Sequence, residues 1–289
     1  MNVIGTFTNF STDTLTGGTY IVAGTLQFPG ANIVNNAANI TLIGAASTIV
    51  NESSVNGIDN IFTSNLATGT FTIQNGRNFT SAPSFSNAGA VNIGAGTTFT
   101  AVSGYTQSGG SMQVDGTLSS PGVTVNGGLL KGTGTVTGNV TVGTGAGPGA
   151  VISPGDSPGT LTIQNALALN SDATYKFELN SSSAISDKIV ANGVTINGAK
   201  FSFTDLGGGA LALGTSFVII DNTAGSPING VFSNLADNST FTNNGNTYRV
   251  SYEGGTGNDL TLSVIPEPGA IALIFLGCGV LLGGRMRRD

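Results

Sequence analysis

AVNIGAGTTFTA (residues 90–101) and SMQVDGTL (111–118) decide how the rest of the chain is read. In each, apolar residues fall at every second position: Val91 and Ile93, Phe99 and Ala101, Met112 and Val114. Polar residues fill the gaps, and Gly-rich pieces separate the runs. Period-two alternation over four to six residues marks a strand with one buried side, and the Gly-containing pieces mark turns. Thr, Val, Ile and Phe add β-branched and aromatic preference. Val91 and Met112 hold matching places in the two runs.

The same beat runs outward in both directions. TYIVAGTLQF (19–28), NITLIG (39–44) and TFTIQNG (70–76) precede it, and VTVNGG (123–128) is echoed by VTINGA (194–199). GTL recurs at 24–26, 116–118 and 159–161, and Val140 and Leu161 repeat the spacing of Val91 and Met112. A loosely kept period of roughly 20 suits one coil of a β-solenoid with several short strands per coil. Stacked rungs would let Asn, Thr and Val form ladders along the axis, with glycine at the corners that need positive φ. An antiparallel sandwich or a propeller uses similar strands and turns and stays open as an alternative. Between 1 and 264 no ten consecutive residues keep helical spacing without a Gly or an Asn-Gly pair. The expected fold is therefore all-β, with a parallel β-helix-like solenoid body over 1–165.

From about 166 the texture changes. ATYKFELN (173–180) sets Tyr175, Phe177 and Leu179 against Lys176 and Glu178, a half-buried strand. NTYRVSYEGGTGNDLTLSV (246–264) reads as a hairpin, with Tyr248, Val250 and Tyr252 on one side and Leu260, Leu262 and Val264 after the turn. The region 166–264 is expected either to continue the solenoid or to close it with a β-rich cap, which protects the open end of a stacked sheet.

Composition narrows function by exclusion. At 289 residues a core is easily buried. Charged residues are 8 % of the chain, far below the roughly 25 % of ordinary soluble domains. With no histidine and a single cysteine, Cys278, neither an internal disulfide nor a Cys/His zinc site can form. The net charge is −6, and the six basic residues before Pro266 (Arg77, Lys131, Lys176, Lys188, Lys200, Arg249) are scattered. That rules against a nucleic-acid partner, which needs clustered cations. No cofactor is expected.

Several motifs carry a dull reading that outweighs the chemical one. Gly155-Asp156-Ser157-Pro158-Gly159 fits G-x-S-x-G, but the chain lacks a histidine to take the serine proton, and Pro and Gly make the stretch a turn. GGTGND (254–259) is similar to a calcium-binding nonapeptide, yet Thr261 stands where a large apolar residue belongs and there is one copy. It reads as a reversal before the last strand. Asp115, Asp156, Asp187, Asp205 and Asp221 are isolated acids in turn-like surroundings, so no converging carboxylate pair for glycoside hydrolysis is expected. Asn39-Ile-Thr and Asn78-Phe-Thr are chance glycosylation triplets in so Asn- and Thr-rich a chain.

The end of the chain, IPEPGAIALIFLGCGVLLGGRMRRD (265–289), is of another character. Gly269 to Gly284 is a run of about 16 residues without charge, and a helix of that length spans about 24 Å, short of the roughly 30 Å hydrocarbon layer. Pro268 suits the first helical position. Arg285, Arg287 and Arg288 form a cytoplasmic basic stop, leaving the β region outside. One short transmembrane helix is expected here; a buried core helix would leave the arginines without a purpose.

Pro-Glu-Pro, a short hydrophobic span and a basic end, in that order at the C-terminus, resemble the PEP-CTERM sorting tail of bacterial surface proteins. The resemblance covers the stretch 265–289 alone. It implies an exosortase-type processing enzyme as partner, with Pro266, Glu267 and Pro268 as the residues it reads. It also implies transient anchoring at the inner membrane and a final place in the envelope or exopolysaccharide matrix. The body, through GGLLKGTGTVTGNVTVG … SPGDSPGTLTI (127–163), is similar to the autotransporter-associated β repeat of adhesin-like passengers. YEGGTGNDLTL (252–262) looks like the closing stretch of such proteins. A secretory route calls for an N-terminal signal peptide, and MNVIGTFTNFSTDTL has neither a basic start nor an apolar stretch of seven residues. A misplaced start or a truncated chain is the expectation drawn from that. The functional expectation is a non-enzymatic, exported structural protein of the cell surface or matrix. A carbohydrate-binding adhesin is the alternative, and a polysaccharide-degrading enzyme a more distant one.

Overall fold

A computed structural model describes residues 1, 7–51, 53–54, 57–147 and 149–267. Among them the chain is all-β, without a helix. Its strands gather into an eleven-stranded sheet, two ten-stranded sheets and a two-stranded pair. The chain visits the three large sheets in rotation. Phe85–Asn87 lies on a first face, Ala90–Ile93 on a second and Thr98–Ala101 on a third. Tyr105–Gln107 then returns to the first face, parallel to Phe85–Asn87. Three strands make one coil, and successive coils pair in parallel, which is a solenoid-like winding.

The alternation seen in the sequence supplies the inside of that winding. On the second face Phe71, Val91, Met112 and Leu130 stack in register, one per coil. On the third, Phe79, Phe99, Leu118 and Val136 do the same. All eight are buried, and each such side chain contributes about 1.5–3 kcal/mol relative to exposure. AVNIGAGTTFTA is two strands on two faces joined by a Gly corner.

The even count fails at Val140. It stacks between Val123, a short step earlier, and Leu167, a much longer step later. Leu161 belongs to the third face, opposite Ile189, so the step from Val140 to Leu161 is not a rung. The added length lies in two longer corners, between Val142 and Ala150 and between Pro154 and Thr162. In the first, the backbone amides of Thr144, Gly145 and Gly147 converge on the Asp172 carboxylate at 3.1, 2.7 and 2.8 Å. Such a loop adds length to a coil without disturbing the inward column.

Part of the interior is polar. Asn36, Asn65, Asn87 and Gln107 are buried on the first face. Each amide donates to the next: Asn36 to Asn65 at 2.9 Å, Asn65 to Asn87 at 2.9 Å and Asn87 to Gln107 at 3.5 Å. Gln107 ends the ladder on the carbonyls of Gly127 and Leu129. Buried amides are tolerated only when bonded in this way, and the ladder fixes register because a slipped coil would strand it. From Val125 onward Val142, Leu169 and Ile196 take the same place. Beside the ladder the chain turns onto the second face at Gly110. Its φ is +60°, and a Cβ there would lie 1.9 Å from the Gly89 carbonyl oxygen.

The two ends depart from the pattern. An antiparallel hairpin of Phe10–Ser11 and Thr14–Leu15 opens the first face. On the third face the pair Thr25–Gln27 and Thr48–Val50 is separate from the main sheet, and Ile58 and Phe62 are buried between them and Phe79–Ser81 in the chain. At the other end the winding passes 165 and reaches Asn229–Val231 on the first face. The third face then reverses: Ser216–Asn222, Asp259–Ile265, Asn246–Gly254 and Thr240–Asn243 lie side by side and antiparallel. Its core is aromatic, with Tyr175, Phe177, Phe201, Phe232 and Tyr248 buried together.

Candidate functional site

The strand pattern that buries one column of side chains presents the other to solvent. On the first face the outward column reads Thr14, Asn35, Ser64, Ser86, Thr106, Thr124, Thr141. On the third face Thr98, Thr117, Thr135 and Thr162 are in register, beside Thr80, Thr100 and Ser119. Strand spacing sets their repeat at about 4.8 Å along the axis. These columns contain hydroxyls and amides and no charge, so they can exchange hydrogen bonds with a neutral, hydrated partner. Sequence reading expected ladders of Asn and Thr; which residues share a column follows from coil lengths that the corners set one by one.

Ser157 sits in an exposed turn at φ +82°, and its hydroxyl donates to the Glu178 carboxylate at 2.5 Å. Beside it Asp187 is fully buried and accepts the amides of Gly159 and Glu178 at 2.8 and 2.9 Å. Burial pushes the Asp187 carboxyl up to about 6; those two amides pull it down and the Glu178 charge pushes it further up. The network ties the Pro-Gly turn to the strand Ala173–Asn180. Asp205 holds the amides of Ser181 and Gly207 and the side chain of Asn244. Burial raises its carboxyl, but these donors outweigh it and leave the pKa below the ordinary value. Asp172 behaves likewise, its burial outweighed by the donors of Gly145, Gly147 and Thr144.

Two of the isolated acids do meet. The Gln113 side-chain amide donates to Asp115 at 2.7 Å and to Asp156 at 2.9 Å, across 43 residues of sequence in the second case. Lys131 pairs with Asp156 at 3.2 Å, and the Asp156 side chain is 58 % exposed. This is a solvated corner. Asp221 pairs with Lys188 at 3.7 Å. In GGTGND, Asp259 accepts Thr256 N and Asn222 N, and Asn258 donates to Asn222 O, so the acid and amide of this reversal tie it to itself and to the end of the strand Ser216–Asn222. Among the described residues no group of three His, Cys, Asp or Glu side chains is placed to hold a metal.

Of the residues that the resemblance assigns to sorting, Pro266 and Glu267 are exposed immediately after the strand Asp259–Ile265. Pro268, Arg285, Arg287 and Arg288, and the short helix expected over 269–284, lie outside the described residues. Among the described residues no helix is long and apolar enough to cross a membrane. No protein-family model matches the chain, and no curated protein matches it.

Proposed function

We propose that this is an exported bacterial structural protein of the cell surface or exopolysaccharide matrix, sorted by an exosortase that reads Pro266, Glu267 and Pro268. The apolar run after them holds the protein at the inner membrane until the tail is removed, with Arg285, Arg287 and Arg288 on the cytoplasmic side. The body works physically, as a rod-like spacer with a neutral hydroxyl- and amide-covered surface. What carries this reading is the order of Pro-Glu-Pro, apolar run and arginines at 266–288. The exposure of Pro266 and Glu267 beyond a fully paired last strand supports it, since a processing enzyme needs an accessible segment. Peptide mapping of protein recovered from the envelope and medium of the native host tests it. The expected result is a mature C-terminus near 266–268 with the arginine-bearing peptide missing. An intact RMRRD end on membrane-held protein would remove the exosortase from the account.

A second reading, a glycan-binding surface, is favoured by the uncharged outward columns on the first and third faces. Such columns suit polysaccharide hydroxyls better than nucleic acid or an acidic partner.

A further inference from the structure

The second face ends at Lys200–Asp205, which pairs in parallel with Ala173–Asn180 and has no strand beyond it among the described residues. In a parallel ladder the peptide groups of alternate residues point to opposite sides. Leu206 donates inward to the Leu179 carbonyl, so Phe201, Phe203 and Asp205 turn their N–H and C=O outward. The Asn234 side chain takes both groups of Phe201, accepting from its N–H and donating to its C=O at 2.8 Å each. Phe203, two residues on, presents its pair to the open edge.

Along that edge, between the last coil and the cap strand Thr240–Asn243, lies a cavity of about 480 Å3. Its apolar wall is aromatic: the half-buried rings of Phe203 and Phe241 meet edge-on at 5.2 Å, and Phe241 stacks on Tyr248 at 5.2 Å. Its polar rim is Ser233, Ser239 and Thr240, and no charged residue lines it. The size falls in the ordinary range of small-ligand sites, as does the combination of apolar walls with a few convergent polar groups.

We propose that this pocket binds one uncharged sugar ring, a neutral hexopyranose unit of a polysaccharide. A purely apolar ligand would bury the Phe203 peptide without partners. An ionised ligand would lose hydration and find no counter-charge. An added peptide strand would find only the short edge at Phe203 and Asp205, because Asn234 already occupies Phe201. A sugar ring has a C–H face for the aromatic wall and hydroxyls that both donate and accept for Phe203 and the rim. The inference deepens the glycan-contacting reading above and rests on it.

The test uses the full chain and methyl glycosides of glucose, galactose and mannose, with glucuronic acid as charged control. Ligand-observed saturation-transfer NMR and tyrosine emission report binding; the chain has five tyrosines and no tryptophan. At least one neutral glycoside should bind saturably and glucuronic acid more weakly. Ala236 is an exposed residue of the pocket rim. Ala236→Phe fills the cavity from outside and should weaken binding about tenfold or more with the melting temperature unchanged. Phe241→Leu keeps an apolar core residue, removes the ring and should weaken binding as well. Binding unaltered in both variants would overturn the pocket while leaving a glycan surface elsewhere. Preference for glucuronic acid, or no saturable binding of any neutral glycoside, would overturn the proposal without bearing on C-terminal processing.

Discussion

The coils between residues 85 and 142 and those from 167 to 265 solve the same packing problem differently. On the first face the early coils advance in short steps, from Phe85 to Tyr105, to Val123 and to Val140. The later steps are much longer, from Leu167 to Val194 and then from Thr195 to Asn229. In the early coils the corners are short, and neighbouring backbones approach closely where glycine permits it. The later coils place extra residues outside, in loops such as those at Ser181 and Gly207 held by Asp205, and pack more aromatic rings inside. Coil length is thus free, while the inward column is not. A domain of this kind can gain loops or a cap at its corners without losing register.

The largest expected effect is in the tight coils. Gly110→Ala puts a Cβ 1.9 Å from a carbonyl oxygen of the coil before it, at a residue with positive φ. We expect a loss of about 4 kcal/mol in urea unfolding. The same substitution at Gly198, in the later region, has positive φ but open space around it and should cost only about 1 kcal/mol. Equal costs would mean that close approach is not what the short corners require. Next comes the amide ladder: Asn65→Ala removes bonds to Asn36, Asn87, Gly69 and Ala90 and leaves a gap in the core. A loss of about 3 kcal/mol is expected, measured by thermal or chemical melting. In the cap, Tyr252 accepts Phe232 N and donates to Leu235 O from its hydroxyl. Tyr252→Phe should cost about 1–2 kcal/mol, with hydrogen exchange rising at 232–235 and unchanged at 85–142.

Stability should also tilt with pH. The Asp187 carboxyl is raised from 3.8 to about 6 on folding, so its contribution is fully present below the lower value and lost as pH climbs through about 6. Asp172 and Asp205 are shifted down, so theirs is present above the ordinary carboxylate range and lost as pH falls through it. Melting temperature should therefore fall between about pH 4 and 7 in the intact chain relative to Asp187→Asn. A parallel pair of curves would show that Asp187 is ionised alike in both states.

The strands were legible because alternation is local: Val91 and Ile93 announce their own burial. Even the hairpin of Tyr248 and Leu262 could be read from spacing within one short stretch. The amide ladder could not. Asn65 and Asn87 stand beside Leu-Ala and Ala-Gly and look like turn residues, because the ladder partners of Asn65 are 29 positions before it and 22 after it. The meeting of Asp115 with Asp156 was hidden for the same reason, and so was the pocket, which joins Phe203 to Phe241 from strands far apart in the chain. What periodicity cannot supply is coil length, and a single loop such as 143–149 shifts every later count.

The last strand, Asp259–Ile265, is not at the border of its sheet; Ser216–Asn222 and Asn246–Gly254 flank it on both sides. The residues beyond Glu267 are therefore joined to the body through an interior strand. A pull on them must break hydrogen bonds to two neighbouring strands, where an edge strand has only one. Under the proposed anchoring by that end, tension would enter the body at a doubly held strand.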